Sequence, residues 1–434
     1  MSPDFLLKQK RPPETPTWAG VFSLRGQKRL AKMTEGPNGA FDADTRSWAS
    51  STGVPAPPPG NVIIVRDALS VAEALSEAQG GRYLLYLGHY ANARRLLAAM
   101  GRRLAGYHST VRRASTPAEA FHEERVAKQK KHDLLSRLVV LLIGPDYRPL
   151  LKGATPLGDY GGQVWGPIGA RTLMVPLHEW VGAIGAREWY RRGVEVPSLG
   201  ASVHPHYGVF APVRGEYGEL VADQADRTEL ARRLAFDVGT GTGVLAFVLA
   251  RHGAARVVAT DADERAVECA RENARRLGLD RTIEVRKVEP DVPFPSGSAD
   301  IVVCNPPWLP IDAATRLDRA VYDTGGRFLL RFLEGVRGHL RPGGEAWLVL
   351  SDLAERLGLR PPNFVADVAS RAGLVVLGRR TAQACHPRTR VRRDPLHLVR
   401  SQEVVTLHVL GRLEEQDSGR GLDIASPARA VCKD

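Results

Sequence analysis

From Leu234 onward the chain alternates short apolar β-type runs with helical stretches, and few folds accommodate that order. Residues 234–238, 256–260, 282–286, 301–304 and 345–351 read as strands. Residues 244–252, 264–277 and 326–340 carry helical spacing between them. Strands joined through helices run parallel, because each crossover returns the chain to the same end of the sheet. The expected fold class is α/β: a doubly wound, Rossmann-like sheet. Two further apolar runs, 374–377 and 403–410, would complete it as a C-terminal β-hairpin around a basic loop.

The 434 residues exceed one average domain, so a second, smaller domain is expected upstream. Residues 61–65 are β-type, 71–79 helical, 83–87 apolar and 91–104 helical. This order points to an N-terminal α/β domain over 61–200. The stretch 116–137 is helical and highly charged, with Lys128, Lys130, Lys131 and Arg137, and 139–143 reads as a strand. Residues 153–200, punctuated by Gly and Pro, fit no element clearly. Residues 1–60 are rich in Pro, Gly, Ser and charge and read as a disordered tail, in which Met33 offers a second candidate start. The second domain is expected over 201–412, and 413–434 reads as a flexible tail.

Asp237 ends the first strand of the second domain, and Gly239, Thr240, Gly241 and Gly243 follow directly before a helix. Ligands of open α/β sheets sit at such strand ends, and glycine there lets backbone approach a ligand closely. The spacing is not the G-x-G-x-x-G of dinucleotide binders, which argues against NAD and FAD. Asp261 ends the next strand, where a carboxylate accepts from ribose hydroxyls, and Ala262 follows it. Asp263 is a second candidate, and one of the two acids suits a helix cap. After the third strand, Glu289 or Asp291 is placed to meet an adenine amino group.

Asn305-Pro306-Pro307-Trp308 follows the fourth strand. An amide or aniline-like NH2 is a poor nucleophile because its lone pair is delocalised. The Asn305 side-chain oxygen and the Pro306 carbonyl can each accept one N–H and favour the pyramidal geometry of attack. Pro306 and Pro307 stiffen the loop so that both acceptors are preorganised. Trp308 offers a plate for a planar group. With the glycine turn, this points to a methyltransferase using S-adenosylmethionine on a planar nitrogen. The plainer alternative, a strand stop followed by a core tryptophan, would suffice for an isolated match.

From Tyr207 to about Leu410 the chain resembles the HemK-type class I methyltransferases, a group with release-factor glutamine methyltransferases and small-domain rRNA methyltransferases. Tyr207-Gly208-Val209-Phe210-Ala211-Pro212, with Arg214 and Glu219, resembles their lead-in. Asp237 to Gly243 resembles their first motif, Asp261 falls on the ribose acid, and Asn305 to Trp308 falls on their N-P-P-Y motif. The resemblance implies an N-methylated amide or exocyclic amine as product. The chain departs from the pattern at Trp308, in a Pro212 to Glu219 stretch one residue longer, and at Ser351-Asp352-Leu353-Ala354-Glu355. Its first half does not resemble the family's five-helix recognition domain.

Net charge is +12 and the pI near 9.8, which suits an acidic partner such as RNA; an Arg-favouring composition accounts for it equally. The expected partners are a translation protein or an RNA, with no membrane and no metal. No apolar run reaches the roughly 18 residues of a membrane span. Four cysteines lie far apart without ligand spacing, and a cytoplasmic location is the default. His204 and His206 read as structural or lid residues. The basic loop His386-Pro387-Arg388-Thr389-Arg390-Val391-Arg392-Arg393 suits phosphate contact or plain exposure.

Overall fold

A computed structural model describes residues 40–41, 48–106, 115–168, 172–313, 317–385, 389, 391–392 and 394–413. The N-terminal half contains a six-stranded sheet: β1 (Ala40–Phe41), β2 (Val62–Val65), β3 (Tyr83–Tyr86), β4 (Leu138–Ile143), β5 (Arg148–Pro149) and β6 (Thr172–Pro176). Strands β2, β3 and β4 are parallel, and β6 returns antiparallel along β4. Its helices are α1 (Val71–Gln79), α2 (Tyr90–Gly106), α3 (Pro117–Ser136), α4 (Tyr160–Trp165) and α5 (Leu177–Arg192). Capping boxes start two of them, Ser70 with Glu73 and Thr116 with Glu119, the latter followed by Pro117. Every residue of β4 is buried because both faces are covered. Leu138, Val140 and Leu142 pack in the cluster of Trp180, while Val139 and Leu141 pack with Val62, Tyr83 and Met174.

Two expectations for this half need correction. The unassigned stretch 153–200 contains β6 and a sixteen-residue helix, α5. Its start after Pro176 has no side-chain cap, and Gly182 and Gly185 weaken its helical pattern. The tail expected over 1–60 is ordered from Trp48: Ser50, Ser51 and Thr52 donate hydroxyl hydrogen bonds of 2.6–2.7 Å to the Glu179 carboxylate. The Ser51 N–H donates a fourth, at 2.6 Å. A short polar segment is thus fixed by a carboxylate 127–129 residues away, which no local pattern reveals. Met33, the basic-loop residues 386–388, 390 and 393, and the tail from 414 lie outside the described residues.

A short hairpin of β7 (Val194–Val196) and β8 (Ala201–Val203) and the helix α6 (Glu216–Asp226) lead into a seven-stranded sheet. Its strands are β9 (Leu234–Val238), β10 (Arg256–Asp261), β11 (Ile283–Lys287), β12 (Ala299–Cys304), β13 (Leu340–Ser351), β14 (Leu374–Gln383) and β15 (Val404–Arg412). The order is β11-β10-β9-β12-β13-β15-β14. All neighbours are parallel except β15, which runs antiparallel to both β13 and β14. The helices α7 (Val244–Arg251), α8 (Glu264–Arg276) and α9 (Arg327–Gly335) are the crossovers. This is the doubly wound, Rossmann-like sheet expected from the pattern. Strand β14 is longer than the run 374–377, because the polar Arg379, Arg380 and Thr381 of this edge strand hide the alternation.

The strand order reverses between β9 and β12, and the register there places the site. Val238 pairs with Cys304 on one side and Thr260 on the other. Gly239, Asn305 and Asp261 are therefore the next residues on three adjacent strands, roughly 5 Å apart from strand to strand. Residues far apart in sequence form one row at the carboxyl edge of the sheet.

Candidate functional site

That row opens into a cleft of about 1770 Å³. It is lined by the glycine turn, Asp261, Ala262, Glu289 and Asn305 to Trp308, and also by Ser50, Ser51 and Trp165 of the N-terminal half. Every sequence-selected site residue except Gly243 lines it. Gly243 sits just behind, at φ +97°, where a Cβ would fall 2.2 Å from the Phe247 ring. This glycine serves the packing of α7. Gly239 and Gly241 also have positive φ, +75° and +56°, and nothing lies within 4 Å of where a Gly241 Cβ would be. That bare space at Gly241 is the one the close-approach argument requires.

The acids divide by role. Asp237 is 1% exposed. Its Oδ2 accepts from the Thr240 hydroxyl at 2.6 Å and the Ala246 N–H at 3.1 Å, so it fastens the turn to the start of α7. Burial pushes its pKa up to about 7; those two hydrogen bonds offset part of the effect, and the charge of Asp261 adds to it. Asp261 accepts from the Gly241 N–H at 3.0 Å and the Asp263 N–H at 2.9 Å. Burial raises its pKa too, against those bonds. Asp263 caps α8, accepting from the Arg265 N–H, the cap role expected of one of the two acids. Asp291 is paired with Arg331, while Glu289 is exposed at the cleft wall.

The acceptor loop differs from the simple cup. The Trp308 indole N–H donates to Asn305 Oδ1 at 2.8 Å. One face of the Trp308 ring carries the Arg214 guanidinium, 4.6 Å from the ring centroid. Trp308 is therefore not a plate open on both faces, and Asn305 keeps one carbonyl lone pair for a ligand. The alternative of a core tryptophan is half right, since Trp308 also packs against the clusters on both faces of the sheet.

Sequence reasoning missed Phe328, whose ring lies 3.4 Å from a Cβ placed on Gly239. It also missed Ser50 and Ser51. The carboxylate of Glu179 among the apolar residues of α5 was the available signal for that pair. His206 bonds Glu272 at 2.7 Å and His204 bonds the Tyr190 carbonyl, so both histidines brace the join between the halves. Among the described residues no group of three His, Cys, Asp or Glu side chains is placed to hold a metal, and no helix is long and apolar enough to cross a membrane.

An open glycine turn, a neighbouring half-buried carboxylate and the reversal of strand order form the ligand cleft of a doubly wound sheet. Residues 200–356 match the family described as the methyltransferase small domain. The chain is 29% identical over 256 residues to the release factor glutamine methyltransferase of Mycobacterium tuberculosis, covering 54% of this chain and 77% of that one. It is 37% identical over 170 residues to the Deinococcus radiodurans enzyme of the same name, 38% of this chain and 55% of that one. Over 117 residues it is 40% identical to the 4-amino-L-phenylalanine/4-methylamino-L-phenylalanine methyltransferase of Streptomyces pristinaespiralis, 25% of this chain and 38% of that one. These likenesses indicate an S-adenosylmethionine-dependent methyltransferase.

Proposed function

We propose that this enzyme methylates the side-chain amide nitrogen of a glutamine in a translation protein. The observation that carries the reading is the placement of Asn305 beside Gly239 on adjacent parallel strands, in the same cleft as Asp261. The residues fit S-adenosylmethionine: Asp261 is a half-buried carboxylate with acceptor capacity to spare, beside bare backbone at Gly241. When bound, that group supplies a methyl on a positively charged sulfur. Asp261 would accept from its ribose, Glu289 would meet the adenine amino group, and Gly239 to Gly243 with Ala262 would shape the wall. Asn305 Oδ1 and the Pro306 carbonyl would each accept one N–H of the substrate amide. That holds its nitrogen in line and leaves the proton to depart to solvent after transfer. The relatives named as glutamine methyltransferases support the amide as acceptor.

A second reading is an exocyclic amine of a nucleobase. The N-terminal sheet, which we assign as the substrate-recognition domain over 61–200, is not a helical bundle, and the net charge of +12 suits RNA. Labelling an extract that lacks this protein with tritiated donor plus purified enzyme separates the two. Label removed by protease and retained after RNase supports the glutamine reading. Label removed by RNase overturns it in favour of the base.

A further inference from the structure

The three places where the chain departs from the family's pattern meet at a single ring. Trp308 is the first. The lengthened stretch leading into α6 supplies Arg214 and, as the helix's first residue, Glu216; the end of β13 and the segment after it supply Ser351 and Glu355. Arg214 lies over the Trp308 face. Its Nε donates to Glu216 at 2.6 Å, and its terminal nitrogens donate to Glu403 at 3.1 and 3.2 Å. Glu403 is fully buried and also accepts from the Ser351 hydroxyl at 2.7 Å. From the other side, Arg360 donates to the Trp308 carbonyl at 3.4 Å and the Ser351 carbonyl at 3.2 Å, and is itself paired with Glu355. Ring and backbone of Trp308 are thus both tied to Ser351.

We propose that Trp308 is a positioning residue, locked by this Arg214–Glu403–Ser351 support, whose indole N–H sets the orientation of the Asn305 carboxamide. The proposal rests on the reading of Asn305 as the group that holds the acceptor nitrogen. An amide has two nearly isosteric orientations, oxygen or NH2 toward a neighbour. An indole is a donor only, so at 2.8 Å it admits the oxygen and rejects the NH2. The flipped amide would present N–H to the N–H of a substrate and hold nothing. Arg214 keeps the indole in plane through its charge over the ring, and the two carboxylates keep Arg214 there. A tyrosine at this position has no donor at the indole nitrogen's place, so the supporting residues and the tryptophan belong together.

The test uses the full chain with its tryptophan indoles labelled with nitrogen-15. The signal lost in Trp308→Phe identifies the Trp308 N–H. Asn305→Ala should shift that signal and speed its exchange with water, and Arg214→Gln should shift it as well. Donor affinity measured by calorimetry should stay within about twofold in Trp308→Phe and Arg214→Gln. Their transfer to the extract acceptor should fall about 100-fold, in kcat rather than KM, the cost of misplacing a group by about 1 Å. Arg214→Lys, which keeps the charge, should recover part of the loss and covers the case in which Arg214→Gln fails to fold. An indole signal indifferent to Asn305→Ala, or wild-type turnover in Trp308→Tyr, overturns the proposal. Full transfer by Asn305→Ala would instead sink the acceptor reading beneath it, whatever the indole signal does.

Discussion

Both sheets end parallel strands in turns that pair a carboxylate with a glycine, yet the two ends are built in opposite senses. In the N-terminal sheet, Asp67 follows β2 and Gly88 follows β3. Asp67 Oδ1 accepts from the Tyr86 hydroxyl at 2.8 Å and the His89 N–H at 3.0 Å, and a Cβ on Gly88 would fall 2.5 Å from that same oxygen. The protein fills its own turn, and the adjoining cavity is only about 430 Å³. Burial opposes the Asp67 charge, but these hydrogen bonds outweigh it and lower the pKa. At the C-terminal sheet the balance is reversed: burial outweighs the two N–H donors to Asp261 and raises its pKa, and Gly241 faces open space. The sheet pattern alone does not separate the two cases.

The contrast breaks most visibly through the acceptor loop. Asn305→Ala is expected to lower transfer by about 10²–10³-fold or more, the scale of losing one preorganised group at the reacting centre. Donor affinity should remain within about twofold, because Asn305 is assigned to the substrate amide. Single-turnover labelling with saturating donor measures the first, calorimetry the second. Retained turnover would remove Asn305 from the reaction.

The next effect is on binding, and it pits the two acids against each other directly. Asp261→Ala should weaken the donor by roughly 10- to 100-fold, since hydrogen bonds to a charged group contribute about 1.5–3 kcal/mol. Asp67→Ala should leave the donor untouched and instead cost about 1–3 kcal/mol of stability, by leaving the hydroxyl of the buried Tyr86 without its acceptor. Equal donor affinities for wild type and Asp261→Ala would erase the distinction between an open and a closed end.

The legible parts of the molecule are those whose physics is local. Strands β9 to β13 and their crossover helices follow from periodicity, and Gly239 to Gly243 follow from the turn between them. The row of Gly239, Asn305 and Asp261 was implied once a parallel sheet with reversed order was assumed. What stayed hidden depends on partners distant in sequence. Ser50 to Thr52 read as a tail because their partners, Glu179 and Tyr207 among them, lie far along the chain, and α5 was obscured by its glycines and uncapped start. The Arg214 stack on Trp308 needs Glu403, which reads as an ordinary charge at the start of a strand but is 0% exposed. Asp237, read as a ligand residue, is largely spent on holding α7.

The smallest expected effect, and the one that reads the burial of these acids most directly, is on pH dependence. The folded pKa of Asp237 is about 7 against an ordinary 3.8, so folded protein holds a proton that the unfolded chain releases earlier. Stability should therefore decline as pH rises from about 4 to about 7 and level off above, the opposite of a salt-bridged aspartate. Asp237→Asn, which can still accept from Thr240 and Ala246, should remove that slope and gain most in Tm above neutral pH. The donor adds a positive charge to the cleft and favours both carboxylates in their ionised form, so its binding should expel protons. Its affinity should rise a few-fold between about pH 6 and pH 8, while the uncharged demethylated product changes less. Calorimetry in two buffers of different ionisation enthalpy counts the protons released. Equal counts for donor and product, with a Tm slope unchanged in Asp237→Asn, would mean that neither Asp237 nor Asp261 feels the methyl-bearing charge.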